Sequence, residues 1–353
     1  SHGGADVLQE EQMSEAFIIG IDLAKRVFQI HGADAAGKVL YRRKLSRPQF
    51  NKFLNEHPSC IFAMEACASA HHWGREALAA GHEVRLVPAR YVKPFVKRHK
   101  SDVVDAEAIT EAAMRPSMRF VPVKAPEQQA QAMLFRTREL FVRQRTQLIN
   151  SLRGYLAEFG IVLRLRIRNA DILKREVEEQ AHKLPDEAKR LAERLLAQIE
   201  TISAEVEGLD HSIKMHAKTS EETRLMQTMP GVGPMSAIAI SAFCPPAKNF
   251  RTGRDFAAWL GLVPRQHSTG GKERLGRITK MGQKDVRRLL IIGAMSVINS
   301  IERWKRCAEP WLARMLETRP RMVVAVALAN RMARRLCAML MTGQIYRIRG
   351  AVA

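Results

Sequence analysis

The sequence predicts an α/β domain followed by a mainly helical region. Three observations carry that expectation. Three strand-like runs near the N-terminus are joined by turns too short for crossovers. They give way to β-α-β alternation, and beyond about residue 126 helical periodicity takes over. Short turns at Gly32-Ala33-Asp34 and Ala36-Gly37-Lys38 make the first strands an antiparallel meander. The later alternation makes the next strands parallel. A mixed sheet of this kind fits a ribonuclease-H-like domain better than a doubly wound nucleotide fold.

Strands are expected at Phe17–Asp22, Val27–Gly32, Val39–Leu45, Ile61–Glu65 and Glu83–Pro88. Helices are expected around Arg47–His57, His71–Ala80 and Asp102–Met114. From Pro126 to Phe159 the chain is polar, Arg/Gln-rich and helical, with Leu134, Leu140, Phe141, Leu148, Leu152 and Tyr155 as an apolar stripe. A second helical region spans 171–218 and breaks near Leu184-Pro185-Asp186, where Asp186 is placed to cap the next helix. Its stripe of Leu191, Leu195, Ile199, Ile202, Val206, Leu209 and Ile213 reads as a helical hairpin or coiled coil, through which the chain could dimerise, or equally as a helix pair packed on its own domain. The third region opens with helix, Pro230-Gly231-Val232-Gly233 turn, helix. This is the pattern of a helix-hairpin-helix, whose turn amides at Gly231 and Gly233 can hold a phosphate; a purely structural turn is the other reading. The domain boundaries expected are 1–12 (a cloning remnant or disordered arm), 13–160, 161–222, 223–345 and a 346–353 tail.

Charge points to the partner. The chain of 353 residues has a net charge of +21 and a pI near 10.3, which calls for a polyanion. The excess is uneven. Residues 171–222 carry 8 Lys/Arg against 13 Asp/Glu, whereas residues 245–353 carry 22 against 6. The C-terminal third is therefore the natural nucleic-acid surface. Five scattered cysteines with no paired spacing suggest reduced thiols in a cytoplasmic, DNA-associated protein. No uncharged apolar run reaches the roughly 18 residues of a membrane span, so no membrane partner is expected.

Against this basic background, four acids stand out. Asp22 and Glu65 each end an apolar strand run, and Asp102 and Asp105 lie at i, i+3 on one helix. Four carboxylates gathered in one pocket repel unless a cation neutralises them, and oxygen donors suit Mg²⁺ or Mn²⁺. His71-His72 follow closely but read as the opening of a helix beside that pocket rather than a transition-metal site. Residues 265–288 change texture to glycines, hydroxyls and a dense run of basic side chains: Arg265, Lys272, Arg274, Arg277, Lys280, Lys284, Arg287 and Arg288. By itself, Ser268 on this loop reads as a phosphate contact. Trp304 and Trp311 read as helix packing. The run from Met322 to Met341 reads as a core helix whose Arg331, Arg334 and Arg335 face solvent.

Taken together, several of these stretches resemble the transposases of the insertion-sequence 110 family, most closely its 1111 subgroup. The matching residues are Gly20-Ile21-Asp22-Leu23-Ala24-Lys25, Met64-Glu65-Ala66-Cys67, the segment from Val84 to Asp105, Pro230-Gly231-Val232-Gly233, and Gly261-Leu262-Val263-Pro264-Arg265-Gln266-His267-Ser268. The similarity runs from about Met13 to Ile345, with Thr269 where a second serine is expected. It implies a RuvC-like domain with a metal site at Asp22, Glu65, Asp102 and Asp105, and a C-terminal transposase domain with Ser268 as nucleophile. It further implies RNA-guided recombination, in which a noncoding RNA pairs with double-stranded target and donor DNA. A homodimer or dimer of dimers is expected, the acids and the serine meeting within one subunit or in trans. A water-using nuclease and a non-catalytic nucleic-acid scaffold are the alternatives; a scaffold has no need of clustered acids.

Overall fold

The computed structural model describes residues 16–96, 102–164, 170–267, 274–304 and 309–347. Contacts divide the chain into two compact units, residues 1–126 and 127–353.

The first unit is built on a five-stranded sheet, β1 (Ile18–Leu23), β2 (Val27–Ala33), β3 (Val39–Ser46), β4 (Ile61–Glu65) and β5 (Glu83–Val87), in the order β3-β2-β1-β4-β5. β1, β2 and β3 are antiparallel, and β4 and β5 run parallel to β1. This is the ribonuclease-H-like arrangement expected from the sequence. Apolar alternation explains why both faces are covered. Ile19, Ile21, Phe28, Ile30, Phe62 and Met64 belong to one core with Phe50, Phe53 and Trp73. Those three side chains come from α1 (Arg47–Glu56) and α2 (Ala70–Ala79). Ile18, Ile61, Ala63 and Val87 face the other way. They pack with Ile109, Ala112 and Ala113 of α4 (Asp102–Met114), which follows the short α3 (Ala89–Val92). Ser46 opens α1 with a capping box to Gln49.

The second unit is helical. α5 (Pro126–Ala157) and α7 (Asp186–Thr219) run antiparallel, with α6 (Ala170–Glu178) between them in sequence. Arg138 of α5 grips Asp210 of α7 at 2.9 Å, while Leu152 and Leu156 share a core with Leu196 and Ile199. α6 adds Leu173 and Val177 to the same core, so the two helices of 171–218 pack within their own chain. The buried stripe on α7 is Ala192, Leu196, Ile199, Ser203, Val206, Ile213 and Ala217, shifted from the apolar spacing, and Leu191 faces solvent. α7 packs against α6 and the following helices Glu221–Gln227 and Pro234–Phe243 as well as α5, and these several neighbours, rather than one seam, set its buried face. Asp186 is the first helical residue and not the cap; Pro185 takes the cap position without a side-chain capping bond, and Asp186 and Glu187 instead place negative charge in the first turn, at the positive end of the helix dipole.

Among the described residues, six α-helices and a small strand pair complete this unit: α8 (Glu221–Gln227), α9 (Pro234–Phe243), α10 (Gly253–Trp259), β6 (Pro264–Gln266), β7 (Leu275–Ile278), then α11 (Lys284–Trp304), α12 (Pro310–Thr318) and α13 (Arg321–Thr342). Val286, Leu290, Ala294 and Ile298 of α11 meet Ala325, Ala329, Met332 and Leu336 of α13 in the main core. Arg331 and Arg335 do not form a solvated basic face. Both pair with Glu309 at 2.8 Å; Arg331 stacks on Trp311 and Arg335 also donates to Tyr346 Oη. Arg334 is the exposed one. No described helix is long and apolar enough to cross a membrane.

Candidate catalytic site and nucleic-acid surface

Asp22 and Glu65 are brought together by strand register. β1 pairs β4 in parallel through Ile21↔Met64, so Asp22 and Glu65 are the next residues along two adjacent strands. Directly opposed residues project to the same face. That face is the one covered by α4, because Gly20, two residues before Asp22, lies against it. A Cβ on Gly20 would stand 2.0 Å from Thr110 Oγ1 and 2.4 Å from the Ala106 carbonyl oxygen. The missing side chain is what lets the helix seat on the strand. Ile18 shares a core with Ile109 and Ala113, one turn further along, so the beginning of α4 lies toward the Asp22 end of β1.

Glu65 ends its strand at a sharp turn. The Ala66 amide donates to the Val87 carbonyl and the Cys67 amide to the Glu65 carbonyl, both at 2.8 Å, and Ser69 adopts φ of 72° before α2 begins. The turn leaves the Cys67 thiol beside both acids. Burial, then the charges of Glu65 and Asp22, push that thiol upward from its ordinary pKa. Beyond burial, the shift follows from the nearness of both carboxylates to this one thiol.

Asp105 lies partly buried on α4, one residue before Ala106. Asp102 opens the helix; its side chain lies outside the described residues. Among the described residues no three His, Cys, Asp or Glu side chains meet as a metal cage. The structure therefore joins Asp22 to Glu65 and puts Asp105 on the helix that covers their face, without completing the quartet. Two partly exposed carboxylates on one face are an all-oxygen donor set open to solvent, and that chemistry fits Mg²⁺ or Mn²⁺. The neighbouring histidines have other partners. His71 Nδ1 accepts the Lys124 amide at 3.2 Å, and burial with Lys124 and Arg75 lowers its pKa to about 4. His72 faces Glu76 at 3.7 Å.

In the second unit, the basic stretch forms an unexpected strand pair. β6 and β7 are antiparallel, and the His267 amide donates to the Arg274 carbonyl at 2.8 Å. Ser268 and Lys272 lie between them, outside the described residues. The base of this hairpin is tightly set. A Cβ on Gly261 would meet the Met281 carbonyl oxygen at 2.1 Å, and one on Gly282 the Trp259 carbonyl oxygen at 1.8 Å. Arg287 donates to the carbonyls of Leu260 and Met281, each at 2.9 Å, so it holds the turn together. Arg288 pairs with Glu139, which also meets Arg138. Arg265 reaches the Thr279 carbonyl at 3.4 Å. Arg274, Arg277, Lys280 and Lys284 are exposed and present their charge to solvent. Spacing could not separate these two groups, because carbonyl partners become visible only in the folded turn.

The two turn glycines also differ. Gly231 has φ of 85°, and a Cβ there would meet the Gly293 carbonyl oxygen at 2.7 Å; the reciprocal Cβ on Gly293 would meet Gly231's oxygen at 2.0 Å. Gly231 is thus a close-packing residue against α11. Gly233 caps α9 with no neighbour within 4 Å of its missing side chain, leaving that helix start approachable.

A ribonuclease-H-like sheet with paired carboxylates on adjacent parallel strands, joined to a basic helical unit, defines a class of nucleic-acid-processing enzyme. Comparison with known proteins narrows it. Residues 19–161 match the DEDD transposase profile of the IS110 group, and residues 223–308 match the transposase profile of the IS116/IS110/IS902 family. A probable family 20 transposase of Pseudomonas aeruginosa is 46% identical over 93% of this chain and 98% of its own length. The transposase of insertion sequence IS1111A from Coxiella burnetii is 37% identical over 96% and 93%, and that of IS1328 from Yersinia enterocolitica 39% over 91% and 96%. The chain belongs to the IS110/IS1111 family of transposases. It is an enzyme that cleaves and rejoins DNA strands, and the DEDD domain implies a metal-dependent catalytic site.

Proposed function

We propose that this transposase cuts DNA through a phosphoserine intermediate on Ser268, with Mg²⁺ or Mn²⁺ held by Asp22, Glu65, Asp102 and Asp105. Its target and donor duplexes are selected by a bound noncoding RNA. The observation that supports the metal-bearing half is the Asp22–Glu65 pair, set side by side by the β1–β4 register on the face covered by α4. Two carboxylates side by side in a partly buried setting are unfavourable alone and favourable around a divalent cation.

An unactivated serine is a weak nucleophile, and a phosphodiester repels attack. In this reading the Ser268 hydroxyl oxygen forms a bond to phosphorus as one DNA oxygen leaves. Attack by a DNA hydroxyl on the phosphoserine then reseals the strand and frees the serine. Arg265, Lys272, Arg274 and Arg277 surround Ser268 in sequence and offset the charge that builds on the phosphate oxygens. When bound, the cation would neutralise phosphate charge and stabilise the serine alkoxide or the leaving oxygen. Lys280, Lys284 and the start of α9 at Gly233 grip backbone nearby.

The guide-RNA part rests on charge and on the family resemblance. Residues 245–353 carry net +16, which suits backbone binding, and they hold no zinc-ligand spacing or legible base-reading helix. A denaturing gel of protein with labelled DNA tests the nucleophile: a protease-sensitive adduct, absent in Ser268→Ala, is expected. Cleavage without any adduct, retained in Ser268→Ala, would transfer the nucleophile's role to water. Recombination of native sites by RNase-treated, RNA-free protein would refute guidance.

A further inference from the structure

One register row crosses the whole sheet on the catalytic face. Lys44 on β3 pairs Gln29 on β2, and Gln29 pairs Asp22 on β1. Glu65 on β4 follows Asp22 by the parallel register and pairs Val87 on β5. Opposed residues in a sheet share a face, so Lys44, Gln29, Asp22 and Glu65 lie in line on the side that α4 covers. The parallel row beneath it confirms the side. Gly20 pairs His31 and His31 pairs Arg42, and Arg42 reaches Glu107 of α4 at 2.9 Å.

Exposure rises along the row away from the helix. His31, one row below, is buried; Gln29 is partly buried; Lys44 is exposed and has no ion-pair partner among the described residues. Arg42, the other cation on this face of β3, is already paired. Two inter-strand spacings put the Lys44 backbone about 10 Å from that of Asp22. Lys44 makes no ion pair with Asp22 or Glu65, so its charge is left facing solvent. Gln29 fills the gap with a neutral amide able to donate to a phosphate oxygen.

We propose that Gln29 and Lys44 form a phosphate-binding track that leads the scissile DNA strand from the edge of the sheet to the carboxylate pair. Lys44 takes a phosphate flanking the cut, and Gln29 orients the backbone between it and Asp22. The inference rests on the carboxylate reading above and adds the path of the substrate to it. Lys44 also sits on an edge strand, where a charge of either sign guards against edge-to-edge pairing. The two roles differ in one respect: a guard tolerates reversal of sign, and a phosphate contact does not.

The test uses full-length protein with its co-purifying RNA and a duplex carrying the cleaved site. Lys44→Ala should slow cleavage at subsaturating DNA on the order of five-fold and lower the salt slope of binding by about one. Lys44→Glu should be slower still, while Lys52→Ala, on α1 across the sheet, should match the parent. A DNA strand with one neutral methylphosphonate at a flanking position should slow the parent by the same factor and leave Lys44→Ala unchanged. Parental cleavage by Lys44→Glu, or additive losses at every methylphosphonate position, would overturn the track. Asp22→Asn is run in parallel. If it is inactive while Lys44→Glu is not, the track fails and the carboxylate site stands. If Asp22→Asn cleaves normally, the carboxylate reading fails, and the salt slope of Lys44→Ala still judges the track.

Discussion

Adding one methyl group at Gly20 should separate catalysis from folding. The Cβ of Gly20→Ala would lie 2.0 Å from Thr110 Oγ1 and 2.4 Å from the carbonyl oxygen of Ala106, where ordinary contact starts near 3.4 Å. The hydroxyl of Thr110 can rotate, at the cost of its bond to Ala106. The backbone oxygen cannot, so α4 must move outward by about 1 Å, the difference between contact and clash. Overpacking of this kind costs roughly 1–3 kcal/mol of stability. The same helix begins at Asp102 and carries Asp105, and a misplacement of about 1 Å can cost on the order of 100-fold in rate. Urea unfolding and single-turnover strand cleavage on full-length protein measure the two effects separately. Gly20→Ala should remain folded at 25 °C and cleave far more slowly, and adding Thr110→Ala should recover part of the loss. Undiminished cleavage by Gly20→Ala would refute the claim that the helix position sets the site.

Other outcomes follow from the same geometry. Gly293→Ala would drive a Cβ to within 2.0 Å of the Gly231 carbonyl oxygen, backbone against helix, and should lower unfolding stability by about 2–3 kcal/mol; a melting temperature equal to the parent's would contradict the contact. Glu309→Ala leaves Arg331 and Arg335 facing each other without their shared anion, and a loss of about 1–3 kcal/mol should appear in denaturant titration. His71 has a folded pKa of about 4, below the usual 6.5, so the unfolded chain binds its proton more readily. Its contribution is complete above pH 6.5 and is lost as pH falls toward 4, by on the order of 2 kcal/mol after allowing for partial exposure. The difference in stability between parent and His71→Asn, measured from pH 7 to 4, should shrink over that window; a constant difference would remove His71 as the cause.

Much of the first unit was legible without coordinates because strands and helices announce themselves by local period. Ile61–Glu65 and Asp102–Met114 have in the structure the bounds that periodicity suggested, and short turns already required an antiparallel meander. The acids were conspicuous for a similar reason: a carboxylate closing an apolar strand is costly unless it has work to do. Tertiary structure decided what local pattern cannot carry. Pairing register joins Asp22 to Glu65 and extends the row to Gln29 and Lys44, residues separated by up to 43 positions whose alignment depends on how strands meet. Gly20 looks like any glycine until a helix lies on it. The basic run of residues 265–288 read as one uniform surface, yet folding turns Arg287 inward to two carbonyls and Arg288 to Glu139, while Lys280 and Lys284 stay in solvent. Composition sets the amount of charge, and only the folded backbone determines which charges remain available to a phosphate.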